Sequence, residues 1–429
     1  MKYRPINAQL FVENRAKLIT HFLPNSLAIF NSNDIMPTSA DGVMPFRQHT
    51  DIFYLSGIDQ EESILLLCPN APNEKYREIL FLKQTNEHIA VWEGHKYSKE
   101  EATQISGVKT ILWLTDFEKI FHELAFYSNT IYLNTNEHLR ATANVQTRDD
   151  RFIRWCKEKY PLHSYQRLSP FMHLLRAIKS ETEIELIQEA CDITEKGFRR
   201  VLKFVKPNVT EYEIEAEFIH EFIRNRSKGF AYDPIIASGS NSCVLHYIEN
   251  SRVCKDGDVL LLDVAAEYAN YASDMTRVIP VNGRFSERQK QVYRSVLKVL
   301  SAAEDMLVIG NSWHTYQKEV GRLVEGELIS LGVLDKHDVK KQDPERPLYK
   351  KYFMHGTSHY LGLNVHDYGD FYRDFRAGMV FTCEPGIYLP EENIGVRLEN
   401  NILITLEGND NLMQNIPIEI EEIEDLMNE

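Results

Sequence analysis

The chain has 429 residues, too many for one ordinary hydrophobic core, and its 43% apolar and 26% charged residues are those of a soluble globular protein, so two domains are expected. With 63 acidic against 48 basic residues the net charge is −15, which disfavours nucleic acid as a partner, and no run approaches the roughly 18 apolar residues of a membrane span. Six cysteines without CxxC spacing (Cys68, Cys156, Cys191, Cys243, Cys254, Cys383) read as reduced thiols, and the N-terminus MKYRPINAQLFVENRAK lacks the apolar core and cleavage site of a secretory signal; a cytoplasmic location is the expectation.

Residues 1 to about 170 mix short apolar runs (ESILLLC, REILFLK, KTILWL, NTIYL) with helical stretches, as an α/β domain does, and nothing there has catalytic spacing. A break at Leu168-Ser169-Pro170 sets an N-terminal domain over 1–171 and a second domain over 172–429. The second domain opens with a helix near Ser180, where Ser180 and Glu183 form a capping box ahead of Ile184, Ile187 and Cys191. Thr210 with Glu213, and Ser286 with Gln289, start two more helices in the same way, and an amphipathic stretch runs from about Trp313 to Leu331. Strand-like segments (VLLLDVAAEY, TRVIPV, GMVFTCE, VRLENNILIT) lie between and after them, so the fold class is α+β with hairpins rather than a βαβ repeat. Past Pro417 the chain is acidic but carries Ile420, Ile423 and Met427 at helical spacing, which predicts a packed terminal helix.

Four carboxylates of this half are spaced as two pairs. Asp263 ends the apolar run Val259 to Leu262, and Asp274 follows across the turn-like Tyr268-Ala269-Asn270; a hairpin centred between Tyr268 and Ala269 would set them opposite each other, roughly 5 Å apart at Cβ. Glu384 and Glu399 are centred between Glu391 and Glu392 in the polar loop Pro390-Glu391-Glu392-Asn393, the same arrangement. Singly, each reads as an exposed acid near a strand end. Asp263 and Glu384, however, directly follow apolar strands, where an unpaired charge is costly. Two such hairpins could clamp divalent ions roughly 3.5 to 4 Å apart, and two divalent ions would neutralise four carboxylates that otherwise repel. Strand alternation turns Cys383 away from that face.

The segment His355 to Asp367 adds three histidines. His355 and His359 have i, i+4 spacing, but Gly356 and Gly362 argue against a helix and the HExxH zinc signature is absent. Leu361, Leu363 and Val365 alternate as in a strand. A lone histidine here reads as structural; three beside paired carboxylates point to a site. His246, in SGSNSCVLHYIEN, reads from spacing alone as a satisfied half-buried histidine.

On the strength of SGSNSCVLHYIEN, LLDVAAEYANYASDMTRVIPVNGRF, MHGTSHYLGLNVHDYG, FTCEPGIYL and GVRLENNILIT, the second domain resembles the Xaa-Pro aminopeptidases (aminopeptidase P) of the pita-bread metallopeptidases. The first domain is similar more loosely, through SADGVMPFRQHTDIFYLSG and Trp92-Glu93-Gly94. The resemblance implies a dinuclear centre, usually manganese, on Asp263, Asp274, His359, Glu384 and Glu399, with Asp274 and Glu399 bridging both ions. Oxygen-rich ligation with a single nitrogen independently suits Mn²⁺. It further implies that Glu384 shuttles a proton, that His246 and His366 hold the scissile carbonyl, and that His355, Tyr388 and Arg397 shape the proline pocket. Asp41 and Trp92 resemble residues that reach a neighbouring subunit's site, which implies a homo-oligomer, dimer or tetramer. Read alone they are a surface acid and a core tryptophan. Three departures stand out: Val264-Ala265-Ala266 replaces a glycine-bearing stretch, Asn400-Asn401 stands where acids commonly follow the last ligand, and the loop between the glutamates is short.

The expected substrates are peptides with proline second, with no nucleic-acid or membrane partner. A prolidase restricted to Xaa-Pro dipeptides has the same centre but needs a cation to capture the substrate's carboxylate, and the SCVLHYIEN context favours the aminopeptidase. A metal-free binding scaffold on the same fold is the third reading; relatives of that kind lose ligands, and this chain keeps all five.

Overall fold

A computed structural model describes residues 3–142 and 144–429. The chain divides into two compact units, Arg4–Leu175 on one hand and Tyr3 with Arg176–Glu429 on the other, so the division falls inside the helix Ser169–Ala177. None of the described helices is long and apolar enough to cross a membrane.

The first unit is built on one six-stranded sheet, and the apolar runs seen in the sequence supply four of its strands. These strands are β1 (Ser26–Asn31), β2 (Ile64–Leu67), β3 (Glu78–Leu82), β4 (Thr110–Trp113), β5 (Thr130–Leu133) and β6 (Ser164–Arg167), in the order β4-β3-β2-β1-β5-β6. β1 and β2 are buried at every position because helices cover both faces, which is why they read as continuous apolar runs rather than alternating ones. Leu27, Ile29, Leu66, Ile79 and Phe81 from the sheet pack on Phe117, Phe121 and Leu124 from the helix Phe117–Tyr127.

The second unit sets long helices around short hairpins. Its helices Glu181–Phe204, Glu211–Arg224 and Glu287–Glu304 begin where Ser180, Thr210 and Ser286 mark them; at Ser180 and Ser286 the cap hydroxyl accepts the N3 backbone N–H while the N3 side chain accepts the cap's own N–H. Helices Trp313–Ser330 and Ile420–Asn428 complete the set, the last burying Ile420 and Ile423.

Ten strands follow in the same unit: β7 (Ile235–Ser238), β8 (Val259–Asp263), β9 (Glu267–Tyr268), β10 (Tyr271–Ala272), β11 (Thr276–Pro280), β12 (Val380–Cys383), β13 (Gly386–Leu389), β14 (Ile394–Arg397), β15 (Asn400–Ile404) and β16 (Asn409–Asn411). β8 and β11 form one long antiparallel hairpin with β9 and β10 at its tip, and β7 pairs the other edge of β8. β12 with β15, and β13 with β14, form the second hairpin in a single register, Cys383 opposite Asn400 and Gly386 opposite Arg397. Gly395 lets β14 press onto the turn Gly239–Cys243: a Cβ there would sit 2.1 Å from the Ser242 carbonyl oxygen.

Two expectations about these segments are corrected. The first hairpin turns on Ala269 and Asn270, both at positive φ (52° and 67°), one position further along than the sequence reading placed it. A two-residue turn whose central residues are both left-handed matches the twist of the flanking strands, and Asn tolerates that conformation where Tyr268 does not. Moving the centre by one residue moves the pairing by two, so Asp263 lies opposite Thr276 and diagonal to Asp274, still on the same face. Second, no strand forms through Leu361, Leu363 and Val365. The chain runs alongside β12 only from Thr357 to Leu361, through the bonds Glu384 N–H to Thr357 O (2.7 Å), Thr382 N–H to His359 O (3.0 Å) and Leu361 N–H to Val380 O (3.1 Å). It then folds into a loop closed by Asp367 N–H on Tyr360 O (2.8 Å).

Candidate metal centre

The ligand-type residues sit where the two hairpins are interrupted and cross-linked. Glu384 and Glu399 fall opposite each other in the second hairpin's register, at the break between its two strand pairs. Glu399 N–H leaves its own ladder to bond Thr276 O of the first hairpin (3.1 Å). Asp274 N–H bonds the side-chain oxygen of Asn401 (3.0 Å), whose amide returns to Asp274 O (2.6 Å). The fully buried Arg277 donates to the backbone carbonyls of Glu399 and Pro417 and to the side chain of Asn400. The two asparagines that replace acids therefore hold the hairpins together.

Asp274, His359 and Glu399 are buried and each offers a ligand atom within 4.8 Å of the others. His359 Nε2 lies 3.4 Å from Asp274 Oδ2 and 3.6 Å from Glu384 Oε1. The other ring nitrogen, Nδ1, is 3.0 Å from Tyr360 O; a carbonyl accepts only, so Nδ1 carries a proton and Nε2 is the nitrogen turned toward the carboxylates. Asp263 bonds Arg397 through Oδ2, while its buried Oδ1 has no hydrogen-bond partner. Cys383 is turned away, its sulfur 3.5 Å from the Tyr316 hydroxyl.

The electrostatics of this cluster require compensation. Burial pushes the Glu384 carboxyl up to about 7, against the opposing pull of His359 and Arg397. Burial likewise raises Asp263, and raises Glu399 well above the usual carboxylate range with Asp274 adding to it. For His359 burial alone lowers proton affinity, but Asp274 and Glu384 outweigh it and the net direction is upward. Crowded carboxylates whose charge burial disfavours, a histidine with Nε2 turned toward them and an orphaned buried carboxylate oxygen together form a donor set fitted to hard divalent cations.

A chain of hydrogen bonds leads from this cluster to the wall beside it. Arg397 donates to Asp263, to the Thr276 hydroxyl (3.0 Å) and to the Tyr388 hydroxyl (2.8 Å). Thr276 donates to Glu399 (2.6 Å). Tyr388 and His355 Nε2 are 2.8 Å apart, and His355 Nδ1 is 2.8 Å from Gly356 O. Burial, aided by Arg397, lowers His355 to about 3, so its ring is neutral and takes the tyrosine proton on Nε2. His366 is exposed, its ring edge-on to that of His359 at 4.4 Å between centroids. His246 is exposed in the segment after the turn Gly239–Cys243, within reach for its charge to weigh on His355.

Asp41 and Trp92 belong to the Arg4–Leu175 unit. Asp41 is exposed in a tight turn closed by the bridge between Pro37 and Val43. Trp92 is 80% exposed on the short helix Glu87–Glu93, so the core-tryptophan reading is wrong: that helix buries none of its residues. Sequence reasoning missed Tyr232, whose buried hydroxyl faces Asp263 and accepts Met275 N–H (3.4 Å), and Thr276 and Arg277, which tie the hairpins. Thr276 alone carried a signal, two positions past Asp274 on the same strand face.

A model of metallopeptidase family M24 matches residues 185–406, and one of the aminopeptidase P N-terminal domain matches residues 11–132. The chain is similar to the Xaa-Pro aminopeptidase of Haemophilus influenzae, 36% identical over 433 residues and 97% of each chain. It is also similar to that of Escherichia coli, 33% identical over 98% of each chain. Its structure is similar to that of Pseudomonas aeruginosa aminopeptidase PepP, with a TM-score of 0.90 and 29% identity over 99% of this chain and 98% of that one.

Proposed function

The chain belongs to metallopeptidase family M24, and from that membership we propose that it releases the N-terminal residue from peptides with proline in second position. Its pita-bread domain follows an aminopeptidase P N-terminal domain, and the family depends on divalent metal ions. The observation that carries the reading is the convergence of Asp274, His359 and Glu399 within 4.8 Å, with Glu384 3.6 Å from His359 and Asp263 presenting an unpartnered oxygen. These five residues hold two ions, and the ligand chemistry, four carboxylates to one imidazole, favours manganese. When bound, such ions supply Lewis acidity and bring the deprotonation of water near neutral pH.

The remaining roles follow from the side chains. Glu384, its carboxylate 3.6 Å from His359, takes a proton from the attacking water and delivers it to the proline nitrogen, which as a tertiary amide nitrogen must be protonated to leave. His366, exposed with its ring 4.4 Å from that of His359, and the exposed His246 hold the scissile carbonyl oxygen. In the wall of His355, Tyr388 and Arg397 the donors are already engaged: Tyr388 accepts from Arg397 and gives its proton to His355, whose other nitrogen serves Gly356 O. A wall without open donors suits a rigid imino-acid ring without an N–H.

Asp41 and Trp92 complete a neighbouring subunit's cleft, Asp41 near the substrate's amine. Support comes from the apolar side chains exposed around them, Met36, Val43, Met44 and Val91. The active form is then a homo-oligomer, placed in the cytoplasm; sedimentation of fully active protein as a monomer would overturn that part.

The full-length names of the relatives favour the aminopeptidase over a prolidase. Incubating metal-loaded protein with Xaa-Pro dipeptides and Xaa-Pro-Yaa tripeptides decides between them. Cleavage of the tripeptides is expected, cleavage of dipeptides alone indicates a prolidase, and full cleavage in chelator removes the metal mechanism.

A further inference from the structure

We propose that Arg176, Lys179 and Asp367 form a buried ion triad that positions His366 for the reaction, an inference that rests on the role given to His366 above. Arg176 and Lys179, just ahead of the helix Glu181–Phe204, both reach the Asp367 carboxylate, Arg176 on Oδ1 and Lys179 on Oδ2 at 3.2 Å. All three side chains are about 1% exposed. The same Arg176 nitrogen bonds the Asn364 side chain, and its guanidinium lies over the Tyr368 ring at 4.6 Å. Room for the triad comes from Gly362, where a Cβ would stand 2.2 Å from Asp367 Oδ2 and 3.0 Å from Lys179.

The loop that these bonds pin carries His359 just before its first residue and His366 just before its last. Asp367 N–H on Tyr360 O closes it, Gly362 N–H bonds Asn364 O (3.1 Å), and Ala272 N–H bonds Gly362 O (2.8 Å), fastening it to β10. His359 and His366 therefore leave the two ends of one closed loop, and their rings meet at 4.4 Å. His366 is exposed and no strand ladder fixes its backbone; Asp367, its chain neighbour, is held on both oxygens. Two buried cations on a single carboxylate are a poor device for stability alone, since apolar side chains fill such a volume at lower cost. As a fixed point beside an exposed active-site residue, they serve as positioning residues.

The test is a double-mutant cycle on the full-length, metal-loaded enzyme with an Xaa-Pro-Yaa tripeptide. Asp367→Asn keeps the side chain's shape and removes the charge that both cations hold. It should lower kcat about 10- to 100-fold with KM changed less than about two-fold and metal content unchanged. In a His366→Ala background the same change should cost less than about two-fold, because the residue being positioned is gone. Equal losses in both backgrounds, or no loss in either, overturn the proposal. If His366→Ala itself turns over at the normal rate, the role of His366 falls and the proposal falls with it, a result separate from the first two. Should Asp367→Asn fail to fold, Asn364→Ala removes the half-buried second anchor of Arg176 and takes its place in the cycle with the same expected pattern, about five-fold or more in the wild-type background and less than about two-fold in the other.

Discussion

Strip the divalent ions with a chelator and the protein should grow more stable as pH falls from about 8 towards 5. The Glu384 carboxyl lies at about 7 in the folded chain against 4.5 for an ordinary glutamate, so between those values the folded state keeps a proton that the unfolded state has released. The slope of unfolding free energy with pH follows protons bound unfolded minus protons bound folded, which is negative here. Stability is therefore lost as pH rises from 4.5, and the loss is complete once pH has passed the folded value of about 7. For Glu384, whose side chain is 19% exposed, that loss is about 3 kcal/mol. Asp263 and Glu399 are raised as well and act in the same direction; so does His359, whose raised value gives stability below its ordinary range that disappears as pH climbs through the folded one. Denaturant titrations of chelated protein across the window measure the slope, and Glu384→Gln should flatten it by that residue's share. Metal-loaded protein should respond the other way, because ligands must lose their protons to bind and the added stability grows with pH. Chelated protein that gains stability with rising pH, or a Glu384→Gln variant with the full slope, would refute the electrostatic argument.

Three further outcomes concern single residues. His359→Ala should lose bound metal and peptidase activity while its far-ultraviolet circular dichroism stays that of the parent. His246→Ala should keep its metal and lose kcat by a factor of about 30 to 1,000, the equivalent of about 2 to 4 kcal/mol of oxyanion stabilisation; normal turnover would remove that role. Asn401→Ala breaks both bonds to the Asp274 backbone and should weaken metal affinity about 10- to 100-fold by titration calorimetry, with a stability loss of about 1 to 3 kcal/mol.

What was legible in the sequence is what short-range chemistry dictates. The Ser180 and Ser286 capping boxes fix their helix starts locally, and the symmetric placing of Glu384 and Glu399 about a polar loop fixes the second hairpin's register. The first hairpin escaped by one residue because Ala269-Asn270 lacks the glycine that normally announces a tight left-handed turn. The link between Arg397 and Asp263 spans 134 positions and that between Thr276 and Glu399 spans 123, distances over which a single sequence offers no spacing signal. Trp92 misled because a lone tryptophan beside apolar residues reads as core, whereas Val91 and Trp92 are both about four-fifths exposed.

The order in which the site is built follows from which bonds need the ions and which do not. Glu399 N–H on Thr276 O, Asp274 clasped by Asn401, Glu384 N–H on Thr357 O and Arg277 on the Glu399 carbonyl are all bonds to the backbone of ligand residues, and all are made by the protein itself. Those bonds fix where the Cα atoms of three carboxylates stand before any cation arrives, and the His359 tautomer is set by Tyr360 O in the same way. What the backbone cannot supply is charge neutrality: the single charge of Arg397, bonded to Asp263 and felt by Glu384 and Glu399, and the imidazole of His359 stand against four carboxylates. Metal binding to such a centre is neutralisation of a preformed cage rather than folding around an ion. Apo and metal-loaded protein should therefore give the same hydrogen-exchange protection at the backbone amides of Asp274, Glu384 and Glu399 relative to global unfolding. Protection at those amides that appears only with metal would show that the cations, and not the crossed hairpins, assemble the site.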